Sequence, residues 1–239
     1  MGFVPIVKRK TTNSMKPVLL IAAKNPLPGN VKTRLTPDIS HKQASELYTC
    51  FLQDLVERVF SLTEFETYIS FSQNSETDLE DLKKLLPYPN LKFQIQEGSD
   101  LGEKLKNSFD YFFSLGYNRI VIVGSDHPDL PLNILHKAFE NLQKSNAVIG
   151  PANDGGYYLI GLSKPETDVF ENIDWSTAVV FSQTIEKFAD LKLSHDVLRV
   201  WSDVDDYEAL LKFWDKLPKG VCPRTEDFLE NLFKNVQKV

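Results

Sequence analysis

The strongest constraint on the fold is a mid-chain stretch, Arg119-Ile120-Val121-Ile122-Val123-Gly124-Ser125-Asp126-His127-Pro128-Asp129-Leu130. A β-branched apolar run that stops at Gly-Ser-Asp and then a proline reads as a buried parallel strand. Such strands deliver polar side chains to the carboxyl edge of an α/β sheet, where these folds bind ligands. Gly124 permits a turn or a close approach, and Pro128 keeps the strand from continuing. Asp126 is thereby left at the rim, where a carboxylate suits a hard divalent metal and phosphate chemistry. The plainer alternative is that Asp126 caps the turn before a helix near Pro131. His127 is read as incidental, although a histidine at such a place could titrate near neutrality.

Around this strand the chain alternates strand and helix, which predicts a doubly wound, mostly parallel α/β sheet. Val18–Ala23 is a central strand, and residues 66–71 and 91–96 are two more. Helices are expected from a Ser40/Gln43 capping box to about residue 61, over 75–86, and from Asp100 to residue 115 with Gly116 as the stop. A further helix runs over residues 132–144. Asn153-Asp154-Gly155-Gly156 between apolar runs at 147–152 and 157–162 predicts a hairpin, so an antiparallel portion follows five mostly parallel strands. A helix over 176–190, a short strand over 197–200, a helix over 207–216 and an amphipathic helix over 224–238 complete the chain. The expected organisation is a loose extension at 1–16, a domain at 17–217 and a C-terminal helix at 218–239 packed on it.

With 239 residues the chain can bury a full core, as one large α/β domain or two small ones. A net charge of −6 argues against broad nucleic-acid binding, which needs a basic footprint. Val18–Ala23 is far too short to span a bilayer, and Lys8, Arg9 and Lys10 are followed by no signal-length apolar run. Met15 is an alternative start. Cys50 and Cys222 match no metal or redox spacing and read as reduced thiols of a cytosolic protein.

The chemistry concentrates in three places. After the first strand, Lys24-Asn25-Pro26-Leu27-Pro28-Gly29-Asn30-Val31-Lys32-Thr33-Arg34 is a shaped loop with the cations Lys24, Lys32 and Arg34. Such a loop can wrap a polyphosphate with backbone N–H groups and cationic side chains, or be an ordinary solvated loop. It is neither a Walker loop nor a dinucleotide fingerprint. Asp154 is accounted for by turn chemistry, Asp100 by helix capping, and Trp175 either packs in the core or stacks on a sugar or base. Late in the chain, Asp203, Asp205 and Asp206 precede a helix, where acids are favourable in themselves and could also complete a metal site begun by Asp126.

Taken in order, several blocks match one pattern: Ala23-Lys24-x-Pro26-x-Pro28-Gly29-x-Val31-Lys32-Thr33-Arg34-Leu35, Gly98-x-Asp100-Leu101-Gly102-Glu103, Gly124-Ser125-Asp126-x-Pro128, Gly150-Pro151-Ala152-x-Asp154-Gly155-Gly156-Tyr157, Trp175-Ser176-Thr177 and Asp203-Val204-Asp205. From about residue 18 to 210 the chain resembles the arsenosugar-biosynthesis-type glycosyltransferases of the nucleotide-diphospho-sugar transferase superfamily. The layout is also similar to that of phospholactate guanylyltransferase and molybdenum-cofactor nucleotidyltransferase. The resemblance implies a three-layer α/β/α, GT-A-like fold. It implies that Lys24, Gly29, Lys32, Thr33, Arg34 and Asp100 bind the nucleotide and its phosphates, with Lys32, Arg34 and Asp126 catalytic. Asp126 and Asp205 would hold Mg²⁺ or Mn²⁺, with Asp203 as the fallback, and Asp154, Gly155, Gly156, Trp175 and Ser176 would border the acceptor.

The expected partners are a nucleotide or nucleotide sugar and a small-molecule acceptor, with no nucleic acid and no membrane; a homodimer is left open, and the expected location is cytoplasmic. One departure matters. A glycosyltransferase of this kind carries Asp-x-Asp after the central strand, and here Pro128 replaces the second acid, with Asp129 one residue late. That departure and the cationic loop favour nucleotidyl transfer, whereas the resemblance points to glycosyl transfer. A non-catalytic nucleotide-sugar binding subunit is the third reading.

Overall fold

The structure, a computed structural model, describes residues 16–236. Residues 1–15 of the expected extension, Met15 among them, and the end of the expected last helix lie outside the described residues. In chain order the elements are β1 (Val18–Ala23), α1 (His41–Phe60), β2 (Glu66–Phe71), α2 (Asp78–Leu85), β3 (Lys92–Ile95), α3 (Leu101–Ser114) and β4 (Ile120–Gly124). They continue with α4 (Leu132–Asn141), β5 (Ala147–Pro151), β6 (Tyr157–Leu162), α5 (Val180–Asp190), β7 (His195–Val197), α6 (Tyr207–Lys216) and α7 (Pro223–Val236).

The strands form one seven-stranded sheet in the order β3-β2-β1-β4-β6-β5-β7. β1 lies between β2 and β4 and is parallel to both, with Ile21 opposite Ile69 and Val123. The expected hairpin forms, but β6 inserts itself between β4 and β5 and is antiparallel to each. The fifth strand in sequence is therefore not a neighbour of the fourth.

Alternation along β1 explains the layers. Leu19, Ile21 and Ala23 face a core shared with Leu52 and Leu55 of α1, Leu82 of α2 and Leu135 of α4. Val18 and Leu20 face the opposite core, with Leu105, Phe109 and Phe112 of α3 and Phe188 of α5. Period-2 side chains on a sheet buried on both faces give an α/β/α sandwich, the GT-A-like architecture expected. On the outer side of α1, Leu47 and Phe51 pack against Leu210 of α6 and Leu229 and Leu232 of α7. Among the described residues no helix is long and apolar enough to cross a membrane. Cys50 and Cys222 are both free.

Four elements depart from the expected bounds by more than two residues, among them α4, which ends at Asn141 rather than at 144. The helix expected over 176–190 begins at Val180, because Ser176 adopts a left-handed backbone with φ of 64° that no helix tolerates. The last strand sits at His195–Val197 rather than 197–200, parallel to β5; beyond it the hydrogen bonds Leu198 N to Ile149 O and Trp201 N to Pro151 O and an isolated parallel bridge of Trp201 with Ala152 continue the contact. The helix expected from residue 75 starts at Asp78, whose carboxylate accepts from Asn74 N, Ser75 N and Ser75 Oγ and so holds the preceding turn open.

Candidate active site

A cleft of about 590 Å³ opens at the carboxyl ends of β1 and β4, the switch point from which the strand order runs toward opposite edges of the sheet. The loop after β1 forms one wall. Two prolines and Gly29, with φ of 85°, rule out regular structure there. Ser45 Oγ of α1 donates to Pro26 O, and Asn25 Nδ2 donates to Asp78 Oδ1 at 2.9 Å. Lys32 has a left-handed backbone, φ 49°, immediately before a 3-10 turn at Thr33–Leu35. A non-glycine residue held there costs about 1–3 kcal/mol, and the conformation brings its side chain into the cleft wall.

β4 supplies the facing carboxylate. Its backbone stops at Gly124, and Asp126 lies at the rim of the cleft. The residue that joins it comes from the segment before α6. Val204 N donates to Asp126 O at 3.3 Å, and His127 Nδ1 is 3.1 Å from Ser202 O, so the two segments are tied side by side. This places Asp205 beside Asp126. His127 is buried, packs edge-on against Tyr158 at 5.6 Å, and is a tie between segments rather than part of the cleft wall. Burial lowers its pKa, and the charge of Asp126 only partly offsets this.

Lys32 connects the three segments. Its Nζ is 2.6 Å from Asp126 Oδ1, 3.0 Å from Asp205 Oδ1 and 2.7 Å from Val204 O. The Lys32 side chain is 3% exposed, whereas the two carboxylates are 40% and 37% exposed. Burial alone would lower the lysine pKa, but the charges of Asp126 and Asp205 and their hydrogen bonds outweigh it and raise it. Burial likewise would raise Asp205, and Lys32 overrides it and lowers it. Arg34, largely exposed, reaches Asp205 Oδ2 at 3.8 Å, a distance of small energetic weight at the surface. Asp203 does not contact Lys32; burial together with the charges of Asp205 and Asp154 pushes its carboxyl up to about 6.

Mg²⁺ and Mn²⁺ take hard oxygen donors, and Mg²⁺ commonly uses one or two protein carboxylates with phosphate oxygens and water. Asp126 and Asp205, close enough to share one ammonium, fit that donor set. The cation they hold in this structure is Lys32. Among the described residues there is no group of three or more His, Cys, Asp or Glu side chains placed to hold a metal from the protein alone.

Lys24, Lys32, Thr33, Arg34, Asp100, Asp126, Ser176 and Asp205 all line the cleft; Gly29, Asp154, Gly155, Gly156, Trp175 and Asp203 do not. Asp100 is also the N-cap of α3, accepting from Glu103 N. Asp154 accepts from Gly156 N, as turn chemistry requires. Gly155, at φ 88°, packs so tightly on the Ala178 carbonyl that a Cβ would overlap it, and Trp175 lies in the same relation to Gly102 of α3. The indole is half-buried in the α3-side core, edge-on to Tyr157. Gly155 therefore joins two loops and Gly102 seats Trp175 on α3, and neither lines the cleft.

The cleft also contains residues that sequence reasoning had not singled out. Tyr48 of α1, fully buried, accepts from Lys24 N at 3.0 Å and lies 2.7 Å from Ser125 Oγ; burial drives its pKa well up, so it stays a neutral hydroxyl. Ser72 and Gln96 follow β2 and β3 and pair at 3.0 Å. Lys104, in the first turns of α3, adds a fourth cation to the wall. Strand ends at a sheet's carboxyl edge were a usable signal for Ser72 and Gln96; Tyr48 sits in an apolar helical stripe and gave none.

The model of a family described as uncharacterized protein conserved in bacteria, DUF2064, matches residues 55–177. Among solved structures, a candidate nucleotide-diphospho-sugar transferase from Desulfovibrio desulfuricans G20 is 35% identical with a TM-score of 0.87, over 94% of this chain and 98% of that one. A cytidylyltransferase from Leptospira borgpetersenii serovar Hardjo-bovis is 15% identical with a TM-score of 0.52, over 93% and 96%. A 4-diphosphocytidyl-2C-methyl-D-erythritol synthase from Anaerococcus prevotii DSM 20548 is 11% identical with a TM-score of 0.53, over 83% and 94%. At those last two identities the likeness is one of fold alone. No curated protein matches the chain. With residues 55–177 under that family's model, the chain belongs to the DUF2064 family.

Proposed function

We propose that the chain is a metal-dependent transferase that holds a nucleotide-activated donor in this cleft. It transfers a glycosyl group from a nucleotide-diphospho-sugar to a small-molecule acceptor, as the arsenosugar-biosynthesis-type glycosyltransferases it resembles would. The observation that carries the reading is the convergence of Asp126 from mid-chain and Asp205 from late in the chain on a cation of the first loop, inside one cleft. The relative described as a nucleotide-diphospho-sugar transferase supports it.

The roles follow from charge and placement. Lys24 and Lys104 line the cleft and make no ion pair among the described residues, so their charge is available to donor phosphates. With Arg34 they orient those phosphates and stabilise the charge that develops on the leaving nucleotide, a contribution from preorganised groups. Asp126 and Asp205 would hold Mg²⁺ or Mn²⁺, which when bound neutralises phosphate charge. Gly29 and Thr33 shape the phosphate loop, and Asp100 sits at the α3 end of the same cleft. Ser176 borders the acceptor, while Asp154, Gly155, Gly156 and Trp175 support that border from behind.

A second reading is nucleotidyl transfer, in which a hydroxyl or phosphate of the acceptor attacks the α-phosphorus of a nucleoside triphosphate and pyrophosphate leaves. One observation favours it. Asp129, the nearest acid after Asp126, accepts from Trp201 Nε1 at 3.2 Å and does not line the cleft, so the second carboxylate is Asp205 and no Asp-x-Asp pair is formed. Incubation with Mn²⁺ and a donor panel separates the readings. Slow hydrolysis of a nucleotide sugar supports glycosyl transfer, pyrophosphate release from a triphosphate supports nucleotidyl transfer, and binding without turnover of either identifies a binding subunit.

A further inference from the structure

The Asp126 and Asp205 carboxylates already share a cation, and that cation belongs to the protein. An ammonium has three N–H bonds, and the three acceptors Asp126 Oδ1, Asp205 Oδ1 and Val204 O lie within 3.0 Å of Lys32 Nζ. The lysine reaches them from the buried side, and the carboxylates keep about two-fifths of their surface, 40% and 37%, toward the cleft. A hard divalent ion that uses both carboxylates competes with the ammonium for them, because two cations held by one pair of acids repel each other. Moving the ammonium away strands a buried charge, which is strongly unfavourable unless another anion receives it. Phosphates entering beside Lys24 and Lys104, in the same cleft, are such an anion.

We infer that Lys32 is the resident cation of the Asp126–Asp205 pair, and that a divalent metal gains this pair only as nucleotide phosphates take over the Lys32 ammonium. The inference rests on the nucleotide reading above and adds an order to it: metal alone binds poorly, and metal and nucleotide enter together. By linkage each strengthens the binding of the other by the same factor, and Lys32 is a positioning residue through which that coupling runs.

The test compares the full chain with its Lys32→Met variant, titrated with Mn²⁺ and no nucleotide, with bound ion read from the loss of the free Mn²⁺ electron paramagnetic resonance signal. The variant is expected to bind Mn²⁺ about tenfold more tightly or better, since the acids have lost their internal competitor. Equal or weaker binding by the folded variant overturns the inference. The carboxylates are exposed enough to stay solvated without the lysine, so the variant is expected to fold. If it is unfolded without metal, recovery of its circular-dichroism spectrum on adding Mn²⁺ supports the exchange and failure to recover overturns it. A Mn²⁺ gain in Lys32→Met with no nucleoside diphosphate or triphosphate binding to either protein leaves the competition standing and removes the nucleotide reading instead.

Discussion

The Tyr48 hydroxyl lies 2.7 Å from Ser125 Oγ and accepts the Lys24 amide at 3.0 Å, so one buried side chain of α1 fastens the end of β1 to the end of β4. Tyr48→Phe keeps the ring and removes the hydroxyl that serves both strand ends. The part-buried Lys24 amide and the buried Ser125 hydroxyl then lose a partner, at a cost of about 1–3 kcal/mol. Urea denaturation checks it; stability unchanged within about 0.5 kcal/mol would mean that other groups satisfy both strand ends.

Asp78 gives a pH dependence. Its carboxylate is fully buried and would be raised by burial, but hydrogen bonds from Asn25, Asn74 and Ser75 outweigh this and hold it at about 2, below an ordinary value of 3.8. A depressed carboxyl stabilises the fold above the unfolded value, and that contribution is lost as pH falls from 3.8 toward 2. The amount is about 2 kcal/mol. Denaturation at about pH 6 and about pH 3 should show a steeper acid loss in the unmodified chain than in Asp78→Asn. Parallel losses in both would place the acid sensitivity elsewhere.

Gly102 sits under Trp175. Alanine inside a helix is normally favoured over glycine by about 1 kcal/mol, but a Cβ at Gly102 would overlap the indole nitrogen of Trp175. Overpacking of this kind costs about 1–3 kcal/mol, so the clash wins. Gly102→Ala is expected to lower stability and shift tryptophan emission to the red as the half-buried indole moves toward water. A more stable variant with unchanged emission would show that helix propensity decides.

Much of this architecture follows from local pattern. The continuous apolar run of β1, the Ser40/Gln43 capping box, and the Asp-Gly-Gly turn between β5 and β6 each specify their own element, and all form where expected. The order of strands does not follow from local pattern: β6 pairs with β4 through contacts between residues about forty apart, such as Ile122 with Ile160. The start of α5 is not legible in sequence because Ser176 takes a left-handed backbone with no glycine to announce it. At the site, the strand-end rule located Asp126 and the loop cations, and the acidic cluster suggested Asp205. Spacing could not show that Lys32 is buried between two acids from the middle and the end of the chain, nor that Lys24 and Lys104 line the cleft without an ion pair among the described residues.

The most direct measurement of the central claim is the melting temperature of the full chain with nucleoside diphosphates, triphosphates and nucleotide sugars, each with and without Mn²⁺, compared with Asp126→Asn. A ligand that prefers the folded state raises the transition, because it stabilises the fold by about 2.7 kcal/mol at a hundredfold excess over its Kd. The account predicts that at least one nucleotide raises it, that Mn²⁺ enlarges the rise, and that Asp126→Asn removes the Mn²⁺-dependent part. No rise with any nucleotide, or the same Mn²⁺-dependent rise in Asp126→Asn, would contradict it.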